Sequence, residues 1–308
     1  SKSNRELGYR INPTIIIHIN QNDELYGFLD EFFVENQIQF KVSSTDSGAR
    51  RIEIDTKNNV SRFLDLIKDH TIQHSFSCQF IQDHFFPTRE SGDILEKQNF
   101  IKMVRSIETL QPRRASNESV KYTTQYFYQE WNIDETVTPV MIPSKKNKEK
   151  VDDDYVAGFF DGAGKIRPVI HKSESTELGY SISLRVGITR SWLRDRMINA
   201  ITRYFKDRNV KYNTNEQGSR ISIHVTDHDS IREFLNNIQT SLISNFEISM
   251  LTVDKILPAF EDNYHKTKQG LHDIVSLYEI VMDQDPERKY TSEYFKNQWN
   301  EVQSLTIN

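Results

Sequence analysis

The stretch Tyr155-Val-Ala-Gly-Phe-Phe-Asp-Gly-Ala-Gly164, followed by Lys165-Ile-Arg, is the most informative part of this chain. Its first half is apolar, and the small residues Ala157 and Gly158 would let another backbone approach one helix face closely. Its end is rich in glycine, which suits a helix C-terminus because glycine accepts the left-handed conformation without strain. We therefore expect a short helix that ends in a glycine-rich acidic corner and leads into a strand.

Two other interpretations of this stretch need to be weighed. Asp161-Gly-Ala-Gly164 could form an ordinary turn, and such turns are far more common than catalytic motifs. Lys165 after a glycine also suggests a phosphate-binding P-loop. The spacing argues against a P-loop, because Gly158 lies one residue too early and Ile166 stands where that motif has Ser or Thr. On these residues alone the turn remains open.

The nine residues Val156–Gly164 resemble the signature of the LAGLIDADG homing endonucleases. In that family two such helices pack together, and each supplies a carboxylate that holds divalent metal ions such as Mg²⁺ for DNA cleavage. The eighth position, where the family carries this acid, is Ala163. The resemblance implies catalytic positions at Asp161, Gly162 and Ala163, metal binding at the Gly162 backbone and the lost Ala163 side chain, and helix packing through Ala157, Gly158, Phe159 and Gly164.

The chain contains two copies of one unit, and similar segments recur in the same order along both. The matched pairs are Ser3–Tyr9 with Ser175–Tyr180, Leu29–Phe33 with Ile201–Phe205, Arg51–Ile54 with Arg220–Ile223, Val60–Leu64 with Ile231–Leu235, and Tyr126–Asn132 with Tyr294–Asn300. The partners lie 168 to 172 residues apart throughout. Chance does not readily produce that order and spacing, so we infer a tandem duplication.

Alternation and turn residues predict the elements of each copy. Copy 2 should contain a strand at Ser181–Ile188, a helix at Leu193–Phe205, a hairpin that opens at Asn209–Tyr212, turns at Glu216–Gly218 and returns through Arg220–Val225, and a helix from about Ser230. Copy 1 should contain Thr14–Ile19, Glu24–Glu35, Ile38–Val42, Arg51–Asp55 and Val60–Lys68 in the same order. With the motif helix in front, copy 2 has the α-β-β-α-β-β-α order of the LAGLIDADG core. The expected fold is therefore α+β, with two pseudo-symmetric units.

Copy 1 has no counterpart of the motif helix, because Ser1 lies opposite Lys172 in the alignment of the copies. We expect the natural protein to extend upstream of Ser1 with a second motif helix; loss of that helix from copy 1 is the alternative.

Proline and charge patterns predict the boundary between the copies. Residues 1–132 form the first repeat, 133–150 a linker, and 151–308 the second repeat with an acidic helical C-terminal part. The linker is expected because Thr136–Pro143 is extended by its prolines and Ser144–Lys150 is a solvated charged run.

Composition limits the cellular setting. The 308 residues carry a single cysteine, Cys78, which rules out an intrachain disulfide and suits a reducing compartment. Nothing resembles a signal peptide or a membrane span. We therefore expect an intracellular protein without a membrane partner, in which Cys78 is a core residue.

Charge is distributed unevenly although the net charge is −5. Residues 162–224, the predicted sheet of copy 2 with its helix, contain twelve Lys or Arg against five Asp or Glu, whereas residues 225–308 contain seven against fourteen. Copy 1 up to Asp55 has six against nine. Basic charge concentrated around one sheet is typical of a phosphate-facing surface.

Alternate residues of each strand face the same way, which selects the candidate DNA-binding side chains. In the family, antiparallel sheets lie along the major groove, where β-ribbons can read base edges. The candidates in copy 2 are Lys165, Arg167, Ser183, Arg185, Lys211, Asn213, Arg220, Ser222 and His224, and those in copy 1 are Arg10, Asn12, Lys41 and Arg51. Any one of them could also be an ordinary wet strand face.

The leading hypothesis is a monomeric two-repeat protein that recognises a long asymmetric site in double-stranded DNA. Its parent activity would be Mg²⁺-dependent double-strand cleavage, which Ala163 is expected to abolish in this chain. Ala163 is either a natural residue or an introduced inactivating change. The alternatives are a non-catalytic helper of intron RNA splicing or a DNA-binding regulator on the same fold, and a structural protein that has lost nucleic-acid binding.

Overall fold

The computed structural model describes residues 7–19, 23–45, 48–72, 74–110, 121–133, 137–140, 150–191, 195–218, 220–282 and 288–299. The chain divides into two compact units, unit 1 (Ser1–Lys148) and unit 2 (Glu149–Asn308). Four predicted features lie partly outside the described residues. They are the first matched segment, which begins at Ser3, most of the predicted linker, the start of the helix expected from Leu193, and the last matched segment, which ends at Asn300.

Unit 1 combines a small sheet with a group of helices. Its described elements are β1 (Ile15–Ile19), α1 (Asp23–Glu35), β2 (Lys41–Ser44), β3 (Arg50–Ile54), α2 (Lys57–Ile67), α3 (Ser75–Phe80), α4 (Phe86–Ser91), α5 (Lys97–Leu110) and α6 (Thr124–Trp131). A π-helical segment, Ile81–Phe85, joins α3 to α4. The three strands form an antiparallel sheet in the order β1-β3-β2.

Unit 2 repeats this plan with an additional helix and strand at its beginning. Its described elements are α7 (Asp153–Ala163), β4 (Gly164–Lys172), β5 (Tyr180–Ser191), α8 (Asp195–Asp207), β6 (Asn213–Gln217), β7 (Arg220–Val225), α9 (His228–Ile238), α10 (Phe246–Leu251), α11 (Leu257–Glu261), α12 (Lys268–Val281) and α13 (Ser292–Gln298). The strands form an antiparallel sheet in the order β4-β5-β7-β6. The predicted α-β-β-α-β-β-α order of copy 2, and the α+β class, are confirmed.

Strict alternation in β5 separates the two faces of the unit 2 sheet. Ile182, Leu184, Val186 and Ile188 are buried, and the polar residues between them lie on the other face. The apolar face packs with the helices, and the Phe160 ring of α7 meets the Phe234 ring of α9 edge to face at 5.4 Å. The sheet therefore has one face in the core and one face open to a ligand.

The motif helix α7 is built as expected at its start but not at its end. Asp152 caps the helix by accepting a hydrogen bond from the Tyr155 backbone N–H at 2.9 Å. The expected left-handed glycine at the C-terminus is wrong, because Gly164 is extended, with φ −79° and ψ 158°. Glycine is required there for space, since a Cβ would lie 2.2 Å from the Phe160 ring.

Ala157 and Gly158 do not share a helix face. Ala157 is buried in unit 2, whereas Gly158 is exposed and a Cβ added to it would meet no described atom within 4 Å. Phe159 is half-buried. The small-residue face predicted for packing is therefore carried by Gly158 alone, and its packing role stays a prediction.

Equivalent contacts recur in the two units, as a tandem duplication predicts. The Tyr9 hydroxyl is hydrogen bonded to that of Tyr126 at 2.7 Å, and the Tyr180 hydroxyl to that of Tyr294 at 2.6 Å. Glu108 accepts hydrogen bonds from the backbone and hydroxyl of Thr124, and Glu279 does the same for Ser292. Both units also place a π-helical segment before a proline-containing helix.

The strand register corrects one matched segment by two residues. Ile16 pairs with Glu53 in unit 1, and Gly187 pairs with His224 in unit 2. Ile16 and Gly187 are equivalent, because each lies seven residues after the matched residues Tyr9 and Tyr180. Their strand partners, Glu53 and His224, are therefore also equivalent, although the sequence match had placed Glu53 opposite Ser222. A shift of two residues keeps every side chain on its face, so the alternation could not reveal it.

The second hairpin of unit 2 begins later than predicted. Strand β6 starts at Asn213, so Asn209–Tyr212 precede the sheet. Asn209 has a positive φ of 53°, which turns the chain after α8. Lys211 consequently does not lie on the sheet.

Two observations bear on the expected setting of the protein. Cys78 is buried, and burial raises the pKa of its thiol, as expected for a core residue. Within the described residues, no helix combines the length and the apolar character that crossing a membrane requires.

Substitution of Gly270 should destabilise unit 2. A Cβ at this buried position would lie 1.9 Å from the Tyr264 carbonyl oxygen, and backbone atoms cannot move aside easily. We expect Gly270→Ala to lower the free energy of unfolding by about 1–3 kcal/mol in chemical denaturation.

The matched control is Gly27→Ala in α1, where a Cβ meets no described atom within 4 Å. Because alanine is the better helix former, this variant should be more stable by roughly 0.5–1 kcal/mol. Equal effects of the two substitutions would contradict the close approach at Gly270.

Candidate nucleic-acid interface

The open face of the unit 2 sheet brings most of the predicted binding residues of copy 2 together. Strand alternation places on this face the side chains of Lys165, Arg167, Ser183, Arg185, Asn213, Arg220, Ser222 and His224. The structure also adds Asn215 and Gln217 from β6, and it places Ser181 and Thr189 of β5 on the same face, as their alternation in the sequence predicts. The face thus combines cationic, amide and hydroxyl groups, which can contact both phosphates and base edges.

Two cross-strand rows organise the cationic part of this face. Arg167 of β4 lies directly opposite Arg185 of β5. In the next row, Lys165, Gly187 and His224 follow one another across β4, β5 and β7. No described acidic side chain forms an ion pair with the three cations of these rows.

These rows line a pocket at the C-terminal end of α7. The residues that line it are Ala163, Lys165, Arg167, Arg185, Gly187, Thr189 and His224. The pocket lies there because α7 ends at Ala163 and the chain enters β4 directly at Gly164. The position at which the family carries its acid therefore lines a cationic pocket, and none of the described residues that line this pocket has a carboxylate.

His224 has an unusual environment within this pocket. Its Nδ1 atom is buried and has no hydrogen-bond partner among the described residues. Burial, then the charges of Arg185 and Arg167, lower the pKa of His224 below its ordinary value near 6.5. The ring is therefore neutral at physiological pH.

Gly187 is a site residue that the sequence prediction missed. A Cβ at this position would lie 2.4 Å from Nδ1 of His224 and 2.9 Å from the Ile223 carbonyl oxygen, so the ring packs directly on the glycine backbone. The signal was present in the sequence, because a glycine inside an alternating strand often marks a close approach of another group.

The sheet of unit 1 carries cations of a different kind. Arg51 forms an ion pair with Glu53 at 2.9 Å, and Lys41 pairs with Asp55. Arg10 and Asn12 precede β1, and the Arg10 Nε atom donates a hydrogen bond to the Asn12 side chain at 2.8 Å. The predicted residues of copy 1 are thus exposed or half-buried, but the two of them that lie on the sheet, Lys41 and Arg51, are each paired with a nearby carboxylate.

Lys211 stands apart from the other predicted residues. Its ammonium lies 3.2 Å from Asp227, the residue that caps α9 by accepting the Ser230 backbone N–H. Hydrogen bonds from Ser230 and then Lys211 lower the pKa of Asp227. This position suits a helix-terminus contact, and a nucleic-acid contact at Lys211 stays a prediction.

The Asp161 carboxylate is used inside unit 2. It accepts hydrogen bonds from the backbone N–H groups of Ile243 at 2.7 Å and Asn245 at 2.9 Å, and from the side chains of Ser244 at 3.0 Å and Asn245 at 3.2 Å. Four donors occupy its oxygens. Asp161 therefore ties α7 to the segment before α10.

The described residues do not fit the divalent metal that the family resemblance implies. The Ala163 side chain has no oxygen atom, and the acid nearest to it in sequence, Asp161, is occupied by four donors. The described part of the chain contains no group of three or more His, Cys, Asp or Glu side chains arranged to hold a metal ion. Hard divalent cations need several oxygen ligands, and the pocket at this end of α7 has no described carboxylate; a ligand role of the Gly162 backbone stays a prediction.

Asp161→Asn should destabilise unit 2. The Asp161 carboxylate accepts hydrogen bonds from four donors, and the NH₂ group of asparagine is itself a donor and cannot accept from them. We expect the free energy of unfolding to fall by roughly 2 kcal/mol in chemical denaturation. The matched control is Asp154→Asn on the same helix, whose side chain accepts a hydrogen bond from Ser241. An equal or larger loss in the control would contradict a structural role specific to Asp161.

Arg185→Gln should raise the pKa of His224. Burial remains and still keeps the pKa below its ordinary value, but one of the two positive neighbours is removed. An NMR titration of the His224 ring measures this pKa. Arg220→Gln on the same face is the control and should leave it unchanged; an unchanged pKa in Arg185→Gln would mean that Arg185 does not face the ring.

Comparison with known proteins identifies the motif and the fold. The model of the LAGLIDADG endonuclease family matches residues 156–257, which run from the motif helix to the beginning of α11. A comparison with curated proteins gives no significant match.

Three solved structures illustrate the similarity of the fold. The LAGLIDADG meganuclease I-CpaMI, bound to uncleaved DNA, is 16% identical with a TM-score of 0.69 and coverage of 90% of each chain. I-SmaMI, bound to uncleaved DNA in the presence of calcium ions, is 16% identical with a TM-score of 0.68 and 88% coverage of each chain. I-AabMI, bound to uncleaved DNA, is 13% identical with a TM-score of 0.66, covering 88% of this chain and 90% of its own. Residues 156–257 thus match the LAGLIDADG endonuclease family, within a chain that has the LAGLIDADG meganuclease fold.

Proposed function

We propose that this protein binds a long asymmetric site in double-stranded DNA and does not cleave it. The observation that carries the proposal is the open face of the unit 2 sheet. Its cations at Lys165, Arg167 and Arg185 have no described ion-pair partner, and they alternate with a fully apolar core face. A surface that leaves guanidinium groups unpaired in water is suited to a polyanion.

The same face offers groups for sequence recognition. Asn213 and Asn215 project from the exposed edge strand β6, and amides can bond adenine in a bidentate manner. The Thr189 and Ser222 hydroxyls are 2.9 Å apart and are able to redirect this hydrogen bond towards a base edge. Cations near the motif helix would then position the duplex, and the polar rows further out would read it.

The two units should contribute unequally to affinity. In unit 1 the cations Lys41 and Arg51 are already paired with Asp55 and Glu53, so a phosphate contact by either of them must first break an ion pair. In unit 2 the cations are free to release counterions from DNA. We therefore expect most of the salt dependence of DNA binding to arise from unit 2. A single chain supplies both sheets, so we expect the protein to bind DNA as a monomer.

Absence of cleavage follows from the chemistry at the end of α7. The parent reaction needs a carboxylate that holds a divalent metal ion such as Mg²⁺, and Ala163 cannot supply it. A metal requirement is therefore assigned to the parent activity and not to this chain.

Intron RNA is the second candidate ligand, because the unpaired cations of the unit 2 sheet can contact the phosphates of RNA as well as those of DNA. A β-sheet fits the wide major groove of B-form DNA but not the deep, narrow major groove of A-form RNA. Structured RNA would therefore have to bind through loops or its minor groove. Competition between duplex DNA and intron RNA for the same protein distinguishes the two ligands.

Selection from a random duplex DNA library should recover a defined site that survives incubation with Mg²⁺. The logarithm of the binding constant should fall linearly with the logarithm of the salt concentration, with a slope of about −0.9 for each phosphate contacted. Arg185→Gln should make this slope shallower by about 0.9, whereas Arg51→Gln should change it much less. Enrichment of no duplex sequence, or cutting of the selected site by the unaltered chain, would refute the proposal.

Ala163→Asp tests the origin of the scaffold. Restoring one carboxylate at the end of α7 should give Mg²⁺-dependent nicking of the selected site, with the unaltered chain and Ala163→Asn as controls. If the Ala163→Asp variant still binds the selected site but does not nick it in Mg²⁺, the result would count against descent from a nuclease.

A further inference from the structure

The pocket at the end of α7 has the composition of an anion site. Lys165, Arg167, Arg185 and His224 line it, together with Ala163, Gly187 and Thr189, and no acidic side chain of the described residues takes part. A divalent cation would face three positive groups there. We propose that this pocket binds one phosphate group of the nucleic-acid backbone directly, without a divalent metal ion; the nucleic-acid part of this assignment rests on the function proposed above.

The placement of Arg167 opposite Arg185 is the first argument. The two residues are direct partners on adjacent antiparallel strands, where like charges repel each other. No described carboxylate pairs with either side chain. A phosphate between them would accept charge-assisted hydrogen bonds from both guanidinium groups and remove the repulsion.

The row beside this pair is the second argument. Lys165 lies two residues from Arg167 on the same face of β4, and its neighbour across the sheet is Gly187, which has no side chain. The missing side chain lets the His224 ring pack on the Gly187 backbone, so that this ring and the glycine form one wall of the pocket. Lys165, Arg167 and Arg185 therefore line one pocket with no described acidic side chain among them, as a small anion requires.

His224 supplies a neutral donor to the same pocket. Its Nδ1 atom is buried against Gly187, so a ligand can reach the ring only along its other edge. A neutral imidazole with its proton on Nε2 can donate one hydrogen bond to a phosphate oxygen. The bound phosphate would in turn stabilise the protonated ring, which makes His224 a reporter of occupancy.

Ala163 completes the argument. It lines the pocket at the position where a carboxylate would bring negative charge towards the ligand. The methyl side chain of Ala163 is neutral, so it does not offset the positive potential of Lys165, Arg167 and Arg185. The absence of a carboxylate at Ala163 therefore disfavours a metal ion and favours a directly bound phosphate.

The first experiment uses inorganic phosphate and the whole chain in EDTA at constant ionic strength, with the His224 ring followed by NMR. A saturable change of the His224 signal is expected, and it should disappear in the double variant Arg167→Gln/Arg185→Gln. Lys172→Gln, at the exposed end of β4 and outside the pocket, should behave as the unaltered chain. Thermal melting confirms that each variant is folded; the double variant should be no less stable, because it removes a repulsive pair.

The second experiment measures binding of duplex DNA with EDTA and with Mg²⁺ at matched ionic strength. The affinity of the unaltered chain should agree between the two conditions within about twofold. Ala163→Asp should bind about tenfold more weakly in EDTA, because the new carboxylate repels the phosphate, and should recover affinity with Mg²⁺. Ala163→Ser, which adds no charge, is the matched control.

The outcomes separate this proposal from the function on which it rests. Absence of a saturable phosphate response, a response that survives loss of both arginines, or duplex binding that requires Mg²⁺ would each overturn the metal-free phosphate site. A phosphate response in a protein that binds no duplex DNA would support the pocket and overturn the proposed DNA-binding function.

Discussion

The Asp161 carboxylate is the constraint on which the site of unit 2 depends. Its four hydrogen bonds hold the last turn of α7 against the segment Ile243–Asn245. The Phe160 ring beneath Gly164 then sets the point at which the helix becomes strand β4. Because no loop intervenes, the end of the helix has a fixed position relative to Lys165 and Arg167. The packing of the core therefore fixes the position of the pocket, and it also fixes the strands that carry the cations lining the pocket.

Charge compensation distinguishes the two copies more clearly than their backbones do. Both sheets place polar side chains on one face, but Glu53 of unit 1 occupies the place that His224 occupies in unit 2. Glu53 neutralises Arg51, whereas His224 is neutral and leaves Arg185 and Arg167 unpaired. One duplicated scaffold thus has one self-neutralised sheet and one sheet with free cations. This difference explains how a chain of net charge −5 can offer a surface for a polyanion.

Sequence patterns predicted the elements well where periodicity alone decides the structure. Alternation in Ser181–Ile188 correctly assigned these side chains to the two faces of β5. The matched segments of the two copies also form equivalent contacts, Tyr9–Tyr126 and Tyr180–Tyr294. Sequence patterns failed where the structure depends on packing or on strand register, because neither is visible in residue periodicity. The role of Gly164 was misjudged because its need is steric, and the two copies of one strand were matched two residues out of register because such a shift preserves alternation.

By itself, the sequence determined the motif helix, the duplication, the α+β order of unit 2 and the loss of the acid at Ala163, because these depend on residue identity and local periodicity. Only the tertiary structure decided which charges are free. Asp161 looked available and is consumed by four donors, and Arg51 and Lys41 looked like DNA contacts and are paired within unit 1. The pairing of Arg167 with Arg185, and of Gly187 with His224, likewise depends on strand register. Register and ion pairing join residues distant in sequence, so no local pattern could have specified them.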